Sequence, residues 1–441
     1  MTKKRVDLVL QPDWIVPVCP RDQVLLDHVV VIEDGVIEAV CSSVQAQQQY
    51  DAEDWRVLPK MAVAPGLVNA HTHAAMTLMR GCADDLPLMT WLQEHIWPAE
   101  QKLVSLEFVT AGTELACVEM LRGGTTCFSD MYFFPDATAA VAQQLGLRAV
   151  VGLIVIDFPS AWARDADDYL RKGLALHNQM LDQPLITTAL APHAPYTVSD
   201  APLERIRMIA DEADIKVHMH VHETAGEVEQ AKKASGERPL ARLKRLGLLN
   251  DRLIAVHMTQ LSDEEIELVA GHGVSIAHCP QSNLKLASGM CPVQRLLDSG
   301  ANVAIGTDGA ASNNDLDMLA EMQTAALLAK GVSGDASAVP AAVALEMATI
   351  NGAKALGLDH LIGSVERGKA ADLIAIDMSA IESQPMFNVV SQLVYACQRH
   401  QVRHAWVAGR QLVDNGVVAG VDMQRLKQQT RQWGSRVQAC Q

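Results

Sequence analysis

The chain has 441 residues, of which 49% are hydrophobic and 20% are charged, a composition typical of a folded globular protein. Its length predicts two structural units rather than one. The formal net charge of −16 argues against a nucleic acid as the partner, because a phosphate backbone is bound by basic patches.

The nine cysteines are scattered and include no Cys-x-x-Cys pair, which favours reduced thiols and a cytoplasmic location over a disulfide framework. The N-terminal segment lacks the apolar region of a signal peptide. No apolar run is long enough to span a bilayer, so we expect no membrane partner.

Short strands separated by turns are predicted at both ends of the chain. Asp34-Gly35, between two apolar runs, is a strong hairpin signal, and the same pattern of short strands returns in the last part of the sequence. We expect residues 1–63 and 367–425 to fold together as one β-rich unit. Residues 426–441 are expected to form a C-terminal helical tail.

Residues 64–366 alternate apolar runs of strand length with longer helical patterns. Eight such repeats predict an α/β fold, a closed (β/α)8 TIM barrel with parallel strands inside. A doubly wound open sheet is the alternative, but no Gly-x-Gly-x-x-Gly follows the first strand. The predicted strands are Leu67–His71, Thr125–Met131, Arg148–Ile156, Ile186–Ala191, Lys216–Val221, Leu253–His257, Val274–His278 and Asn302–Gly306. Predicted helices between them include Leu106–Arg122, Ala166–Asp182, Ala201–Ala213, Asp263–His272 and Asp317–Ala329.

Histidines cluster at the predicted strand ends, where a barrel of this kind carries its reactive groups. Because alternate residues of a strand share a face, His71 and His73 can both reach one point beyond the first strand. Together with a histidine of the fifth strand and Asp308 after the eighth, they make a ligand set that suits zinc or iron. Structural histidines and a turn aspartate are the alternative interpretation.

The fifth strand carries His218, His220 and His222 on one face, and spacing does not choose among them. We expect the histidine nearest the strand end to be a metal ligand or a substrate contact, and the deepest to be a core residue. Glu223 is either an acid aimed into the barrel mouth or a surface carboxylate. His193, flanked by prolines, is either a contact in the mouth or a packing residue.

Five motifs lie at these strand ends: Pro65-Gly-Leu-Val-Asn-Ala-His71-Thr-His73, His220-x-x-Glu223, Ala255-Val-His257, Ser275-x-x-His278-Cys-Pro280-x-Ser-Asn283 and Gly306-Thr-Asp308-Gly-Ala-Ala-Ser312. Together they resemble the amidohydrolase superfamily and, within it, the 5′-methylthioadenosine/S-adenosylhomocysteine deaminases. The resemblance extends over almost the whole chain. It implies a distorted (β/α)8 barrel and a small composite β-sandwich built from both termini.

The resemblance also implies one Zn²⁺ per subunit, with Fe²⁺ as the alternative metal. It assigns His71, His73, His220 and Asp308 as the ligands, and so selects His220 from the three histidines of the fifth strand. The homodimer is the assembly that the resemblance suggests.

The same resemblance assigns substrate contacts. Glu100, in Trp97-Pro-Ala-Glu100, matches a carboxylate that binds the ribose hydroxyls of a nucleoside. His193 and Glu223 match positions that hold the purine ring, and Trp97 and Ser312 are expected to be further contacts. The expected partner is therefore a small-molecule nucleoside.

The implied reaction is hydrolytic deamination of 5′-methylthioadenosine, with S-adenosylhomocysteine and adenosine as further candidate substrates. Glu223 is expected to protonate the ring nitrogen beside the amino-bearing carbon, and His257 to orient the attacking water. Asp308 is expected to accept the proton of that water and pass it to the departing amine. The products are an inosine-type nucleoside and ammonia.

Two other functions compete with this one. The first is another amidohydrolase reaction on an aminated or chlorinated heterocycle, such as that of a guanine or pterin deaminase or a triazine hydrolase. Glu100 discriminates against it, because a ribose-binding carboxylate has no purpose with a free base. The second is a non-catalytic metal-binding protein, which would not need the acid and base groups Glu223, His257 and Asp308.

The resemblance does not assign the residues that bind the 5′ substituent of the nucleoside. A homocysteine tail carries a carboxylate and needs a cation, and Arg164 is the candidate, with an exposed surface charge as the alternative. If no cation faces the pocket, the uncharged methylthio substrate is favoured. Residues that could line an apolar tail pocket, or pack in a core or lid, are Met76, Met79, Leu86, Met89 and Trp91.

Overall fold

The computed structural model describes residues 3–440. Met1 and Thr2 of the predicted N-terminal β segment and Gln441 of the predicted helical tail lie outside the described residues. The strands form two sheets of eight. In chain order they are β1 (Lys4–Ile15), β2 (His28–Glu33), β3 (Val36–Ser42), β4 (Tyr50–Pro65), β5 (Leu67–Thr72), β6 (Thr125–Tyr132), β7 (Arg148–Val155), β8 (Ile186–Pro192), β9 (Val217–Val221), β10 (Leu253–His257), β11 (Ser275–His278), β12 (Asn302–Ile305), β13 (Leu373–Asp377), β14 (Val402–Val407), β15 (Arg410–Asp414) and β16 (Val417–Val418).

The five helices predicted above are confirmed, with ends that move by a few residues at most. The helices are α1 (Ser43–Gln49), α2 (Leu88–Thr90), α3 (Trp97–Leu103), α4 (Leu106–Arg122), α5 (Pro135–Leu145), α6 (Ala166–Met180), α7 (Asp200–Ala213), α8 (Ala225–Ser235), α9 (Pro239–Arg245), α10 (Asp263–Gly271), α11 (Pro280–Lys285), α12 (Val293–Asp298), α13 (Ala310–Asn313), α14 (Met318–Ser333), α15 (Ala341–Met347), α16 (Ile350–Ala355), α17 (Val389–Tyr395) and α18 (Met423–Gln438). A π-helical turn (Trp91–Ile96) joins α2 to α3, and short 3-10 turns lie at Ala74–Met79, Ile381–Ser383 and Arg399–Gln401.

Both termini contribute to one mixed sheet, with the strand order β16-β15-β14-β13-β4-β1-β2-β3. The long strand β4 joins the two parts, because it is parallel to β1 on one side and antiparallel to β13 on the other. A buried apolar cluster that includes Leu10, Ile32 and Trp406 draws on strands from both ends of the chain. The expected union of the two β-rich ends is confirmed.

The second sheet is the barrel, with the order β12-β11-β10-β9-β8-β7-β6-β5 and parallel pairing between all neighbours. The predicted (β/α)8 barrel is confirmed, and each predicted strand agrees with the structure to within a residue at either end. Strands β5, β6 and β7 are buried along their whole length. Burial on both faces explains why β7 reads as an apolar run rather than as an alternating pattern.

Hydrogen bonds between β5 and the turn after β12 close the barrel. The backbone N–H of Asp308 donates to the carbonyl of His71 at 3.0 Å. The side chain of Asn69 accepts from the Thr307 backbone N–H at 3.0 Å and donates to the Thr307 hydroxyl at 2.8 Å. A Cβ at Gly306 would lie 2.7 Å from the His71 nitrogen, so this approach requires a glycine. The seam therefore places His71 beside Asp308.

The C-terminal helix α18 packs on the outside of the barrel. Its Trp433 ring meets the Phe108 ring of α4 edge to face, with the centroids 5.3 Å apart. Leu426, Trp433 and Val437 form its buried side. Among the helices of residues 3–440, none combines the length and the apolar character needed to cross a membrane.

A buried ion pair connects the barrel to the terminal sheet. The guanidinium of Arg148, at the start of β7, donates to both carboxylate oxygens of Asp372 at 2.8 and 3.1 Å. Both side chains are almost completely buried, at 4% and 1% exposure. Asp372 also accepts from the backbone N–H of Ala408 at 2.7 Å. Bidentate geometry and full burial make this pair costly to break by removing one partner.

We expect Asp372→Ala to lower the free energy of unfolding by about 3 to 5 kcal/mol, because it leaves a buried guanidinium without its counter-charge. Equilibrium denaturation in urea measures the change. The matched control is Glu53→Ala, which removes the partner of Arg5 from an exposed pair and should leave the midpoint unchanged. An unchanged midpoint for Asp372→Ala would show that the pair does not hold the two sheets together.

Candidate active site and metal centre

Four side chains converge at the carboxyl ends of the barrel strands. His71 and His73 come from the end of β5, His220 from β9 and Asp308 from the turn after β12, and their ligand atoms all lie within 4.8 Å of one another. The Nε2 atoms of His71 and His73 are 3.3 and 3.2 Å from the Asp308 Oδ1. The Nε2 atoms of His71 and His220 are 3.2 Å apart.

Hydrogen bonds fix the orientation of each imidazole. The Nδ1–H of His73 donates to the carbonyl of Met131 at 2.5 Å, and that of His220 to the carbonyl of His193 at 2.7 Å. A proton on Nδ1 leaves the lone pair on Nε2, which points to the centre of the cluster. Three such nitrogens and one carboxylate oxygen fit the shell of Zn²⁺ or Fe²⁺.

Asp308 is held as an ionised carboxylate. Its Oδ2 accepts from the hydroxyls of Ser282 at 2.6 Å and Ser312 at 3.1 Å, and its Oδ1 accepts from the Gly309 N–H at 2.8 Å. Burial by itself raises the pKa of Asp308, but the adjacent imidazoles of His71 and His73 outweigh it and hold the pKa well below its usual range. Ser312, expected to contact the substrate, also orients Asp308.

His218 and His220 lie in β9 and His222 just after it, and the three have different environments. His218 lies deepest and bonds the His71 Nδ1 at 3.0 Å through its Nε2, which agrees with the expected core position. At the strand end, where a ligand or a substrate contact is expected, His220 faces the metal cluster and His222 does not. His222 follows β9 with a left-handed φ of +54°, so its ring turns away from the cavity. It bonds the Gln260 carbonyl at 3.1 Å and the Leu240 N–H at 3.3 Å.

A cavity of about 670 Å³ opens over the cluster. It brings together all the substrate and catalytic residues that the sequence predicts, and the three metal ligands other than His71 face it as well. Its lining includes His73, Trp97, Glu100, His193, His220, Glu223, His257, Asp308 and Ser312. His71 itself is fully buried beneath this surface.

Glu100, in helix α3, lies in the cavity wall with its carboxylate fixed by a hydrogen bond from the Tyr132 hydroxyl at 2.6 Å. Burial raises the pKa of Glu100 to about 7, and the bond from Tyr132 opposes that rise. Trp97 lies one helical turn earlier and lines the same wall. A carboxylate in this place can accept hydrogen bonds from hydroxyls of a bound ligand.

Glu223 and His257 face the cavity from neighbouring strand ends. Burial raises the pKa of Glu223, which favours a protonated carboxyl group. The Nε2 of His257 is 3.7 Å from the Glu223 Oε2. The His257 Nδ1–H donates to the Asn283 Oδ1 at 2.9 Å, so the Nε2 lone pair faces the cavity. The two residues thus present one proton donor and one proton acceptor.

His193 combines a backbone role with a side-chain role. Its carbonyl orients His220, and its ring bonds the Thr197 hydroxyl at 3.1 Å and packs 4.8 Å from the His220 ring. Burial lowers the pKa of His193 to about 3, so the ring is neutral. A neutral imidazole in the cavity wall can hydrogen-bond a heterocycle.

Most of the remaining wall of the cavity is apolar. Met76, Leu88, Trp91, Leu92, Ile96 and Phe158 line it. Of the five residues considered for a tail pocket, Met76 and Trp91 are there, whereas Met79, Leu86 and Met89 pack in the hydrophobic cluster behind. Arg164 is 83% exposed and pairs with Asp168 at 3.5 Å, outside the cavity. Within residues 3–440, no lysine or arginine lines the cavity.

Comparison with known proteins places the chain in a family. The model of the amidohydrolase family matches residues 62–412. The chain belongs to the amidohydrolase family. Among the members of this family, a 5-methylthioadenosine/S-adenosylhomocysteine deaminase from Teredinibacter turnerae is 49% identical over 434 residues, which are 98% of each chain.

Two further amidohydrolases are similar over most of their length. A 5′-deoxyadenosine deaminase from Methanopyrus kandleri is 43% identical over 399 residues, covering 90% of this chain and 92% of the relative. The crystal structure of an adenosine deaminase from Xanthomonas campestris with bound zinc has a TM-score of 0.98 and 53% identity. That match covers 99% of this chain and 100% of the neighbour.

Several residues of the site have no role in the sequence-based prediction. Ser282 and Asn283 lie in a motif that carries the family resemblance, so a local signal was present although it assigned them no function. Tyr132 and Ser288 have no such signal, because their positions depend on how β6 and the loop after β11 pack around the cavity.

We expect His220→Ala to lower the bound zinc from about one ion per chain to less than about a tenth of that, because the variant loses one of three imidazole ligands that the fold holds in orientation. Metal content is measured by plasma mass spectrometry after gel filtration. His193→Ala is the matched control, since it keeps the carbonyl that orients His220 and removes a neighbouring ring. Full zinc content in His220→Ala would contradict the assignment of this ligand.

Proposed function

We propose that this amidohydrolase is a zinc-dependent deaminase that converts 5′-methylthioadenosine into the inosine-type nucleoside and ammonia. The observation that carries the proposal is the Glu100 carboxylate in the wall of the cavity that also holds the metal cluster. A carboxylate at this place suits the two hydroxyls of a ribose, and a free base or a triazine has none. The names of the relatives agree with an adenosine derivative as the substrate.

We propose His71, His73, His220 and Asp308 as the metal ligands. When bound there, zinc supplies Lewis-acid activation of the water that hydrolysis consumes. The four side chains hold their donor atoms in place through the Met131 and His193 carbonyls, His218 and two serines. The fold therefore orders the ligand side chains before the metal binds, so little conformational entropy is lost on binding.

The protein side chains carry the proton transfers. Glu223, whose pKa is raised by burial, donates a proton to the ring nitrogen beside the amino-bearing carbon and makes that carbon electrophilic. The Nε2 of His257 accepts a hydrogen bond from the attacking water and orients it. Asp308 accepts the proton that the water loses and delivers it to the amino group, which leaves as ammonia. The second proton of the water returns to the Glu223 carboxylate as the carbonyl of the product forms.

The substrate is positioned by three other groups. The neutral ring of His193 is available to the purine, and Glu100, held by Tyr132, accepts from the ribose hydroxyls. We propose that Trp97 and Ser312 complete these contacts at the ribose end and near Asp308, respectively. Positioning of this kind determines the Michaelis constant more than the chemical step.

We propose the methylthio nucleoside over S-adenosylhomocysteine as the preferred substrate. The wall formed by Leu88, Trp91 and Phe158 is apolar, and no cation lines the cavity within the described part of the chain. Burying the carboxylate of a homocysteine tail there without a partner is unfavourable. A methylthio group instead gains from leaving water.

We also propose a domain organisation for the chain. Residues 64–366 carry the metal cluster and the cavity, residues 1–63 and 367–425 form the accompanying β unit, and residues 426–441 form the tail. Within residues 3–440 no cysteine forms a disulfide, which supports a reducing, cytoplasmic location. The homodimer suggested by the sequence stays a prediction.

The deaminase proposal is tested with purified, zinc-loaded protein and four substrates: 5′-methylthioadenosine, S-adenosylhomocysteine, adenosine and guanine. We expect an ultraviolet shift and stoichiometric ammonia with 5′-methylthioadenosine. Its kcat/KM should exceed that of S-adenosylhomocysteine by about tenfold or more, because the cavity offers no partner for the tail carboxylate. Guanine should not react.

Apoprotein prepared with a chelator is the matched control and should be inactive until zinc is returned. Turnover of none of the adenosine derivatives would sink the proposal. Faster turnover of S-adenosylhomocysteine than of 5′-methylthioadenosine would leave the deaminase intact and refute the account of the tail pocket.

A further inference from the structure

The chain reverses sharply where β9 ends and Glu223 begins to face the cavity. His222 has a φ of +54°, a left-handed conformation that is unfavourable for a residue with a Cβ. Helix α8 begins only three residues later, at Ala225. The direction of the Glu223 side chain therefore depends on what holds this short reversal in place.

One side of the reversal is held by Glu227, in the first turn of α8. Its Oε1 accepts from the backbone N–H of His222 at 3.1 Å, and its Oε2 accepts from the backbone N–H of Glu223 at 2.7 Å. Its own N–H donates to the Thr224 hydroxyl, the cap of the helix, at 3.2 Å. Each carboxylate oxygen of Glu227 thus holds one of the two consecutive amides before the helix.

The other side of the reversal is held by Thr259. Its hydroxyl donates to the carbonyl of Glu223 at 2.6 Å, and its N–H donates to the carbonyl of His222 at 3.0 Å. The backbone of Glu223 is consequently fixed at both its N–H and its C=O. Its carboxyl group is aligned in turn by the Ser288 hydroxyl at 3.4 Å and by His257 at 3.7 Å.

We propose that Glu227 is a positioning residue for the deamination: by holding the backbone amides of His222 and Glu223, it fixes the point at which the Glu223 carboxyl delivers its proton. The inference rests on the proposed function, because it takes Glu223 as the proton donor. Glu227 does not line the cavity and touches no substrate group. It acts on the reaction through Glu223.

The contacts explain why a carboxylate is needed at position 227. Both oxygens accept a hydrogen bond from a backbone N–H, and a glutamine side chain has only one oxygen that can accept. Glu227→Gln therefore keeps one of the two contacts, and Glu227→Ala removes both. The two variants give a graded series, and the first of them, Glu227→Gln, changes the shape of the side chain little.

We expect Glu227→Ala to lower kcat per bound zinc by about tenfold to a hundredfold and to change KM for 5′-methylthioadenosine by less than about threefold, because the proton donor is misplaced while Glu100 still binds the ribose. Glu227→Gln should fall between Glu227→Ala and the parent protein. The matched control is Glu229→Gln, an exposed glutamate of the same helix, which should leave both constants unchanged.

A readout that needs no turnover separates this inference from the proposed function. Hydrogen exchange of the peptide that contains the amides of residues 222 and 223 should be faster in Glu227→Ala, with protection of the barrel strands unchanged. Unchanged exchange of these amides would show that Glu227 does not hold them and would overturn the inference. This outcome can be read even if the parent protein deaminates no adenosine derivative.

The kinetic outcomes are equally separable. A loss of zinc and of melting temperature in step with the loss of activity would show a general structural role and overturn the inference. A kcat per zinc equal to that of the parent protein would also overturn it. Inactivity of the parent protein on every nucleoside would refute the deaminase instead, and hydrogen exchange would still decide whether Glu227 holds the reversal.

Discussion

The seam between the first and last barrel strands is the contact on which the site depends. Asp308 donates its backbone N–H to the His71 carbonyl, and Asn69 pairs with Thr307 beside it. The close approach at Gly306 leaves no room for a Cβ. Residues more than two hundred positions apart in the chain thereby become neighbours, and closure of the barrel brings His71 and His73 to Asp308.

Different parts of the barrel orient the metal ligands and select the substrate. Buried groups below the cavity, such as His218 and the carbonyls of Met131 and His193, orient the metal ligands before any metal arrives. The wall above selects the substrate, through Glu100 at one end and an apolar surface without lysine or arginine at the other. The protein as a whole is acidic. Even so, among the described residues, those that line the part of the cavity proposed to bind the 5′ substituent carry no charge.

The sequence predicts the barrel well because most strands buried on both faces are rich in apolar residues, and helices alternate with them. It predicts His71, His73 and Asp308 as neighbours, but spacing alone does not choose among His218, His220 and His222, since all three would share a face of a regular strand. The choice depends on depth in the barrel and on the left-handed turn at His222, which are tertiary features. Tyr132 behind Glu100 and the long strand β4 are likewise set by packing that no local pattern records.

The account claims that one cavity holds a metal at the histidine cluster and a ribose at Glu100. A crystal structure of the zinc-loaded protein with the deaminated product, 5′-methylthioinosine, tests this claim most directly. We predict ribose hydroxyls within about 3.2 Å of the Glu100 carboxylate. The methylthio group should lie against Leu88 and Trp91, with zinc bound by His71, His73, His220 and Asp308. A ribose bound away from Glu100, or a metal held by other side chains, would contradict the account.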